Sequence, residues 1–447
     1  MRLLFLSHTG TTAGGAEQCL LEYIEVLRRQ GHECKVVVPH KGSMTTQLDK
    51  KGIGYSVIGF GWATIPKKKV NSHKIMASTG NSLVKIFQEV EKYKPHIIFT
   101  NTVVIPWGLY AGKAFSIPNV LLVHEIINDK DPSLPMSPSY ASYGEILNQC
   151  ADYVIYNSQF VQNEFSTVLT KPIISKDILY PLPPLDVEKI EAIFKENVIK
   201  GKLKVAIFGA LSPRKNQLEA LQAVKLLYDR GIRNLELDLY GDTLADIKYT
   251  KLLRKFIREH SLGQLVKIKG FVSDGYAKMN EYNVLLNAAT YEPFGRTIIE
   301  GQLFGRIVIS DDTGGGLELV RHMQNGIVYR SGDPSELAQK LEWVINHPVE
   351  AMSLAHRAKH EQIGKYLVPS RYDALLDAAQ YFAEQKKGPQ ALNIFDPMMS
   401  LFQYNHQLNN RYRHLYRLTH NRLTRPVKDT LARTLAKAKI TAKRVVR

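Results

Sequence analysis

Cysteine is scarce in this chain, three among 447 residues. Cys19, Cys34 and Cys150 stand far apart, without the paired spacing of a zinc site or the density of a disulfide scaffold. They read as reduced thiols that pack as small hydrophobes, which fits a cytoplasmic protein. Long hydrophobic runs are also missing. No stretch nears the ~18 apolar residues of a membrane-spanning helix. The opening MRLLFLSHTG has an apolar run too short for a secretory signal and reads as a first strand. Repeats of about 20–50 residues are lacking apart from a division into halves. What is present, 44% apolar and 23% charged residues, excludes a mainly disordered chain. The length suits two or three domains at ~100–200 residues each.

Acidic residues are what the end of the chain lacks. From Ser400 to Arg447 there are 12 Lys or Arg and one acid, Asp429, so this stretch carries +11 of the net +17. The rest of the chain is only mildly basic. Within the stretch, Leu401, Tyr404, Leu408, Tyr412 and Leu415 recur at helical spacing, as do Val427, Leu431, Leu435, Ala438 and Ala442. A basic amphipathic helix preceded by aromatics is the pattern of an interfacial membrane binder. Each cation near an anionic leaflet contributes ~1 kcal/mol. Lys67–Lys69 form a second basic loop suited to the same surface. Docking on the protein itself or on a partner is the next reading. Nucleic acid is disfavoured, because no reader motif is present and the main body carries little positive charge.

Strand and helix patterns alternate along the first ~180 residues. Apolar runs lie at Arg2–Ser7, Cys34–Val38, Tyr55–Ile58, His96–Thr100, Asn119–Val123 and Asp152–Tyr156. Tyr180–Asp186 (YPLPPLD) then puts three prolines into seven residues, which favours an extended connector. The alternation resumes at Leu203–Phe208, Leu235–Tyr240, Leu265–Gly270, Asn283–Asn287, Arg306–Ser310 and Gly326–Tyr329. Nearly all-apolar strands alternating with helices indicate parallel sheets covered on both faces. The expected fold is α/β: two Rossmann-like, doubly wound parallel-sheet domains facing across a cleft, with a basic helical C-terminal tail. The expected domains are 1–185, 200–368, a helix at 369–387 returning to the first domain, and the tail at 388–447. Ligands of such sheets bind outside the carboxyl ends of the strands.

The most specific stretch is Tyr291–Gly301, YEPFGRTIIEG. It places Glu292 on a Pro-Phe-Gly turn after a strand and Glu300 about a turn into the next helix. A strand, a tight glycine turn and a helix N-terminus make an anion site. A carboxylate on that helix can accept two hydrogen bonds from a vicinal diol. Taken alone, the pair reads first as surface glutamates flanking an ordinary turn. Gly14 and Gly15 stand where the first strand hands over to the first helix, where glycine allows close approach and positive φ. His124 ends the strand Asn119–Val123, at the edge where a parallel sheet presents functional residues, and His suits polar work near neutral pH. His8, His40 and His73 read as structural. Asp311 and Asp312 are weak evidence for a metal, and none is expected.

Five segments in this order resemble the retaining nucleotide-sugar glycosyltransferases of family 4, which have the GT-B fold: GTTAGGAEQ (Gly10–Gln18), LLVHE (Leu121–Glu125), GALSPRKNQLEA (Gly209–Ala220), EPFGRTIIEG (Glu292–Gly301), and SDDTGGGLELV with NGIVY (Ser310–Tyr329). The resemblance implies that Glu292 touches the donor sugar hydroxyls and Glu300 the nucleotide ribose. It implies that Phe294 and Gly295 belong to the donor-binding turn, and that the amides of Arg296 and Thr297 approach the diphosphate. Lys215 matches the lysine that neutralises the departing diphosphate. Its usual arginine partner is replaced by Ala210, a role Arg214 or Arg296 could fill. His124 would contact the donor sugar, and the Gly14–Gly15 loop would lie near sugar and acceptor. Gly314–Gly316 would be a close-approach loop near the donor sugar, with Glu318 structural.

The activity implied is transfer of a sugar from a nucleotide diphosphate sugar to an acceptor hydroxyl, with retention and without metal or other cofactor. Catalysis would rest on His124, Glu292 and Lys215. The expected partners are the nucleotide-sugar donor, a glycan or lipid-linked acceptor of envelope polysaccharide or glycolipid assembly, and an anionic membrane surface. The expected location is cytoplasmic, at the inner face of the membrane. The alternatives are a non-catalytic sugar-nucleotide or glycan binder, or an epimerase or phosphorylase of the same fold.

Overall fold

The structure, a computed structural model, describes residues 1–12, 14–62, 72–126, 140–166, 169, 174–177, 187–366 and 373–384. The proline-rich connector, the Lys67–Lys69 loop and the basic tail at 388–447 lie outside the described residues. The chain divides into two compact units.

The first unit holds a seven-stranded parallel sheet. Its strands are β1 (Arg2–Leu6), β2 (Glu33–Val38), β3 (Gly54–Val57), β4 (Ile97–Asn101), β5 (Asn119–Val123), β6 (Tyr153–Tyr156) and β7 (Ile174–Asp177). They lie in the order β3-β2-β1-β4-β5-β6-β7. Every residue of β4, β5 and β6 is buried, as expected of strands covered on both faces. The helix Asp373–Glu384 belongs to this unit, and its Tyr381 ring lies 6.3 Å from that of Tyr153 on β6.

The second unit holds β8 (Leu203–Phe208), β9 (Leu235–Tyr240), β10 (Val266–Gly270), β11 (Val284–Asn287), β12 (Ile307–Asp311) and β13 (Ile327–Tyr329). All pair in parallel, in the order β10-β9-β8-β11-β12-β13. That is the strand order of dinucleotide-binding sheets, and it reverses between β8 and β11. One core cluster joins Leu203, Val205 and Ile207 of β8 to Leu221 and Val224 of the helix Gln217–Asp229 and to Leu337 and Leu341 of the helix Pro334–Asn346. The latter helix starts at Asp333, whose carboxylate accepts the Glu336 amide at 2.9 Å, with Pro334 at the first helical position. Such a cap satisfies an otherwise unpaired helix donor and contributes about 1 kcal/mol.

Both sheets therefore bring the loops after their central strands to one edge. In the second unit that edge receives the loops after β8 and β11. Those loops carry Lys215 and Glu292.

Candidate active site

Lys215 sits at the end of a short 3-10 turn, Pro213–Lys215. Its aliphatic stem runs over Gly209, where an added Cβ would lie 3.3–3.5 Å from three of its carbons. The ammonium Nζ donates to Glu292 Oε2 at 2.5 Å, and Arg214 Nη1 lies 3.7 Å from the same oxygen. Burial pushes the Glu292 carboxyl up, but Lys215 and then Arg214 pull it further down, leaving it below the ordinary carboxylate value. Glu292 is thus an anion held by two cations at the strand-order reversal. Ala210, in the place of the usual arginine, offers its carbonyl to Gln217 Nε2 at 3.0 Å. Arg214 reaches the same carboxylate from the following turn.

The backbone of Glu292 is clamped. Tyr291 before it adopts φ 52° and donates its amide to Thr313 Oγ1 at 3.0 Å. The Thr313 hydroxyl donates in turn to Asp311. Gly315 N donates to Glu292 O at 2.7 Å. A Cβ at Gly314, itself at φ 73°, would overlap the Glu292 amide nitrogen and oxygen, and one at Gly315 would overlap Pro293 O. Gly314 and Gly315 are therefore required by contact with the Glu292–Pro293 backbone. Asp311 is fully buried, and burial pushes its carboxyl up to about 7. Asp312 accepts the Ser331 amide at 2.8 Å instead. Among the described residues no three His, Cys, Asp or Glu converge as a metal site.

Glu300 lies on the helix Arg296–Leu303, one turn beyond Gly295, which caps the helix at φ 98°. A residue with a Cβ would be strained at that angle and would also press on Ile298. Glu300 Oε1 accepts Arg296 Nε at 2.7 Å and the Tyr276 hydroxyl at 3.3 Å. Arg296 is thus engaged with Glu300, one turn away on the same helix. Phe294 is fully buried, so its side chain anchors the turn, and only its backbone could meet a donor. Glu318 accepts the amides of Gln159 (3.1 Å) and Phe160 (2.6 Å), residues that cluster with this unit, in keeping with a structural role.

In the first unit the corresponding edge carries His124. Its Nε2 lies 2.8 Å from Asn101 Oδ1. Asn101 Nδ2 donates to Ala16 O, so the amide presents its oxygen to the ring and Nε2 bears the proton. Burial, reinforced by His8, holds His124 down at about 3. It is a neutral hydrogen-bonding group, not one that titrates near neutral pH as its residue type suggests. Glu125 Oε2 accepts the amides of Val103 and His124, both at 3.3 Å, and burial pushes its carboxyl up to about 7. Glu17 lies 3.4 Å from His8. Gly14 has extended backbone, and a Cβ there would strike the Glu17 carboxylate, whereas one at Gly15 would meet nothing. Neither glycine answers a demand for positive φ.

Sequence reasoning passed over Glu125, Tyr276 and Thr313, and read His8 as structural. Glu125 carried a signal in its place beside His124 at a strand end. The other two depend on contacts across the fold.

A family model described as "Glycosyltransferase Family 4" matches residues 13–172, and one described as "Glycosyl transferases group 1" matches residues 188–362. The chain belongs to the family 4 glycosyltransferases. Among curated relatives of this family 4 chain, the capsular polysaccharide biosynthesis glycosyltransferase CapM of Staphylococcus aureus is 22% identical over 45% of the chain and 50% of its own length. The 2-deoxystreptamine N-acetyl-D-glucosaminyltransferase of Niallia circulans is 24% identical over 37% and 42%. The chain thus spans half or less of the length of these relatives. The crystal structure of Anabaena HepE in complex with UDP-glucose matches 86% of the chain and all of its own, at 24% identity and a TM-score of 0.71. A glycosyltransferase from Rickettsia africae matches 86% and 99%, at 20% identity and a TM-score of 0.68. These likenesses show the GT-B fold, two Rossmann-like units built on parallel sheets. No described helix of the family 4 chain is long and apolar enough to cross a membrane.

Proposed function

We infer that the chain transfers a sugar from a nucleotide diphosphate sugar to an acceptor hydroxyl, with retention at the anomeric carbon. The observation that carries this reading is the convergence of Lys215, Arg214 and Glu292 at the strand-order reversal of the second sheet, with Glu300 on the next helix. As the glycosidic bond to the donor breaks, negative charge grows on the leaving diphosphate. Lys215, Arg214 and the amides at the start of the helix Arg296–Leu303 are placed to stabilise it. Glu292, ionised and fixed by its clamped backbone, accepts hydrogen bonds from sugar hydroxyls. Glu300 accepts from the ribose diol, sharing its oxygens with Arg296 and Tyr276. His124, a neutral imidazole whose Nε2 proton goes to Asn101, lies at the sugar, and the Gly14–Gly15 loop faces the acceptor.

No step in this scheme needs a metal. UDP-glucose in the Anabaena structure makes the uridine series the first donors to test. The capsular and wall-polymer relatives support an envelope polysaccharide or glycolipid acceptor. The basic residues at 400–447 suit cytoplasmic work at the inner membrane face.

A thermal-shift screen against UDP, GDP, ADP, dTDP and CDP and their sugars, with chelator present, tests the donor site, since specific binding raises Tm by mass action. The expected result is a shift with one nucleotide series, lost in Glu300→Ala and Lys215→Ala. Absence of any shift would overturn the reading. Turnover with the donor so found, and product of unchanged anomeric configuration by NMR, tests transfer and retention.

A further inference from the structure

A cavity of about 860 Å³ in the second unit lies away from the Lys215–Glu292 site. Its lining includes Lys202, Arg233, Arg254 and Arg258, with no carboxylate among the lining residues. Lys202 precedes β8, Arg233 precedes β9, and Gln264 and Leu265 of its wall precede β10. In a parallel sheet the starts of the strands share one edge, so this cavity opens at the amino ends and the donor-type site at the carboxyl ends.

The four cations are held differently. Lys202 pairs with Glu236 at 3.3 Å. Arg233 is fixed in place, its guanidinium 3.5 Å above the Tyr228 ring and donating to the Tyr228 carbonyl. Arg254 and Arg258 project from the helix Ile247–Glu259 one turn apart, and neither has an ion-pair partner among the described residues. Attraction to the helix C-terminus accounts for a cation in the last turn such as Arg258. It does not account for the further arginines around the same concavity, Arg254 a turn earlier on that helix and Arg233 from the loop before β9. Guanidinium forks match phosphate oxygens in pairs, and the volume exceeds what a single phosphate fills.

We propose that this cavity is a second anion site of the chain, binding a ligand that carries more than one phosphate or a phosphate with an attached polar group. Two sources share that chemistry, a soluble oligophosphate and the phosphodiester headgroups of an anionic lipid. The site is independent of sugar transfer and stands or falls separately from it.

The test is equilibrium binding of tripolyphosphate to the full chain, in wild type and in Lys215→Ala, which disables the donor-type site. Binding that survives Lys215→Ala is expected. It should weaken about tenfold or more in Arg254→Ala/Arg258→Ala, because hydrogen bonds to charged groups are the strong ones. Lys248→Ala/Lys251→Ala removes equal charge from the same helix outside the cavity and should bind as before. Both double variants replace exposed residues with a good helix former, and circular dichroism verifies their folding. Sedimentation with phosphatidylcholine vesicles, with and without phosphatidylglycerol, separates the sources. Loss of phosphatidylglycerol-dependent sedimentation in the arginine variant alone assigns the site to lipid headgroups. Unchanged sedimentation with lost tripolyphosphate binding assigns it to a soluble ligand. If the arginine variant keeps both kinds of binding, or both double variants weaken equally, the proposal is overturned.

Discussion

At the carboxyl edge of the second sheet, the acidic side chains of the site face cations. Glu292 has Lys215 and Arg214, and Glu300 has Arg296. At the carboxyl edge of the first sheet, Glu125 meets backbone amides, and His124 meets an uncharged amide oxygen. Glu292 is held ionised by its cations, while at the other edge a carboxyl is pushed up and an imidazole down, so that both shifts favour the neutral form. The same fold thus builds a fixed-charge surface in one unit, fit for a diphosphate, and a weakly charged one in the other, fit for hydroxyls. Burial is common to both. The difference is whether an Arg or Lys comes with the buried acid.

Removing the central cation should break this contrast most severely. Lys215→Ala leaves Glu292 with Arg214 alone and takes away the group proposed to stabilise the leaving charge. Steady-state kinetics should show kcat down about 10²–10³-fold, the range for loss of one strong electrostatic stabiliser. A variant within a few-fold of wild type would move the leaving-group role elsewhere. Glu300→Gln comes next. It keeps the shape but weakens the hydrogen bonds offered to a ribose, so KM for the donor should rise about tenfold to hundredfold with kcat little changed. A fall in kcat at constant KM would place Glu300 at the reacting centre instead.

The two alternating halves were legible because strands buried on both faces leave apolar runs in the sequence. Leu203–Phe208, Leu235–Tyr240 and Asn119–Val123 are strands at those residues. The strand β7, Ile174–Asp177, was not legible. It is an edge strand of sequence ISKD paired only with β6, placed by backbone hydrogen bonds that side chains do not advertise. The acids of the site were found from local order, strand, turn and helix. Their partners were partly within reach, since Arg296 and Glu300 stand four residues apart on one helix and so face each other. The Thr313 clamp was out of reach, because a glycine run signals close approach without naming what approaches.

That clamp gives the next smaller effect. Thr313→Ala removes the acceptor of the Tyr291 amide and the hydroxyl donated to Asp311, loosening the backbone that aims Glu292. The loss of about two neutral hydrogen bonds should lower kcat about fivefold to tenfold, and Thr313→Ser should restore most of it. If Ser fails where Ala fails, the methyl group matters and the hydrogen-bond account is wrong.

The smallest effect is also the one that tests the contrast between the edges directly, through the sign of a pH dependence. Glu125 has its folded value raised from 4.5 to about 7, so the folded chain keeps a proton that the unfolded chain releases. The stability it contributes is full below about 4.5 and is lost as pH rises towards 7. The slope is at most about 1.4 kcal/mol per pH unit for one proton. Glu292 is lowered, so its contribution is present above 4.5 and is lost only as pH falls below that value. Melting temperatures of Glu125→Gln and Glu292→Gln, followed from pH 3 to pH 8, should therefore depart from wild type in opposite ways. Glu125→Gln should flatten the decline between 4.5 and 7, and Glu292→Gln should flatten the loss on the acid side. Departures in the same window would mean that the two carboxyls share one electrical environment, and the contrast between the edges would fail.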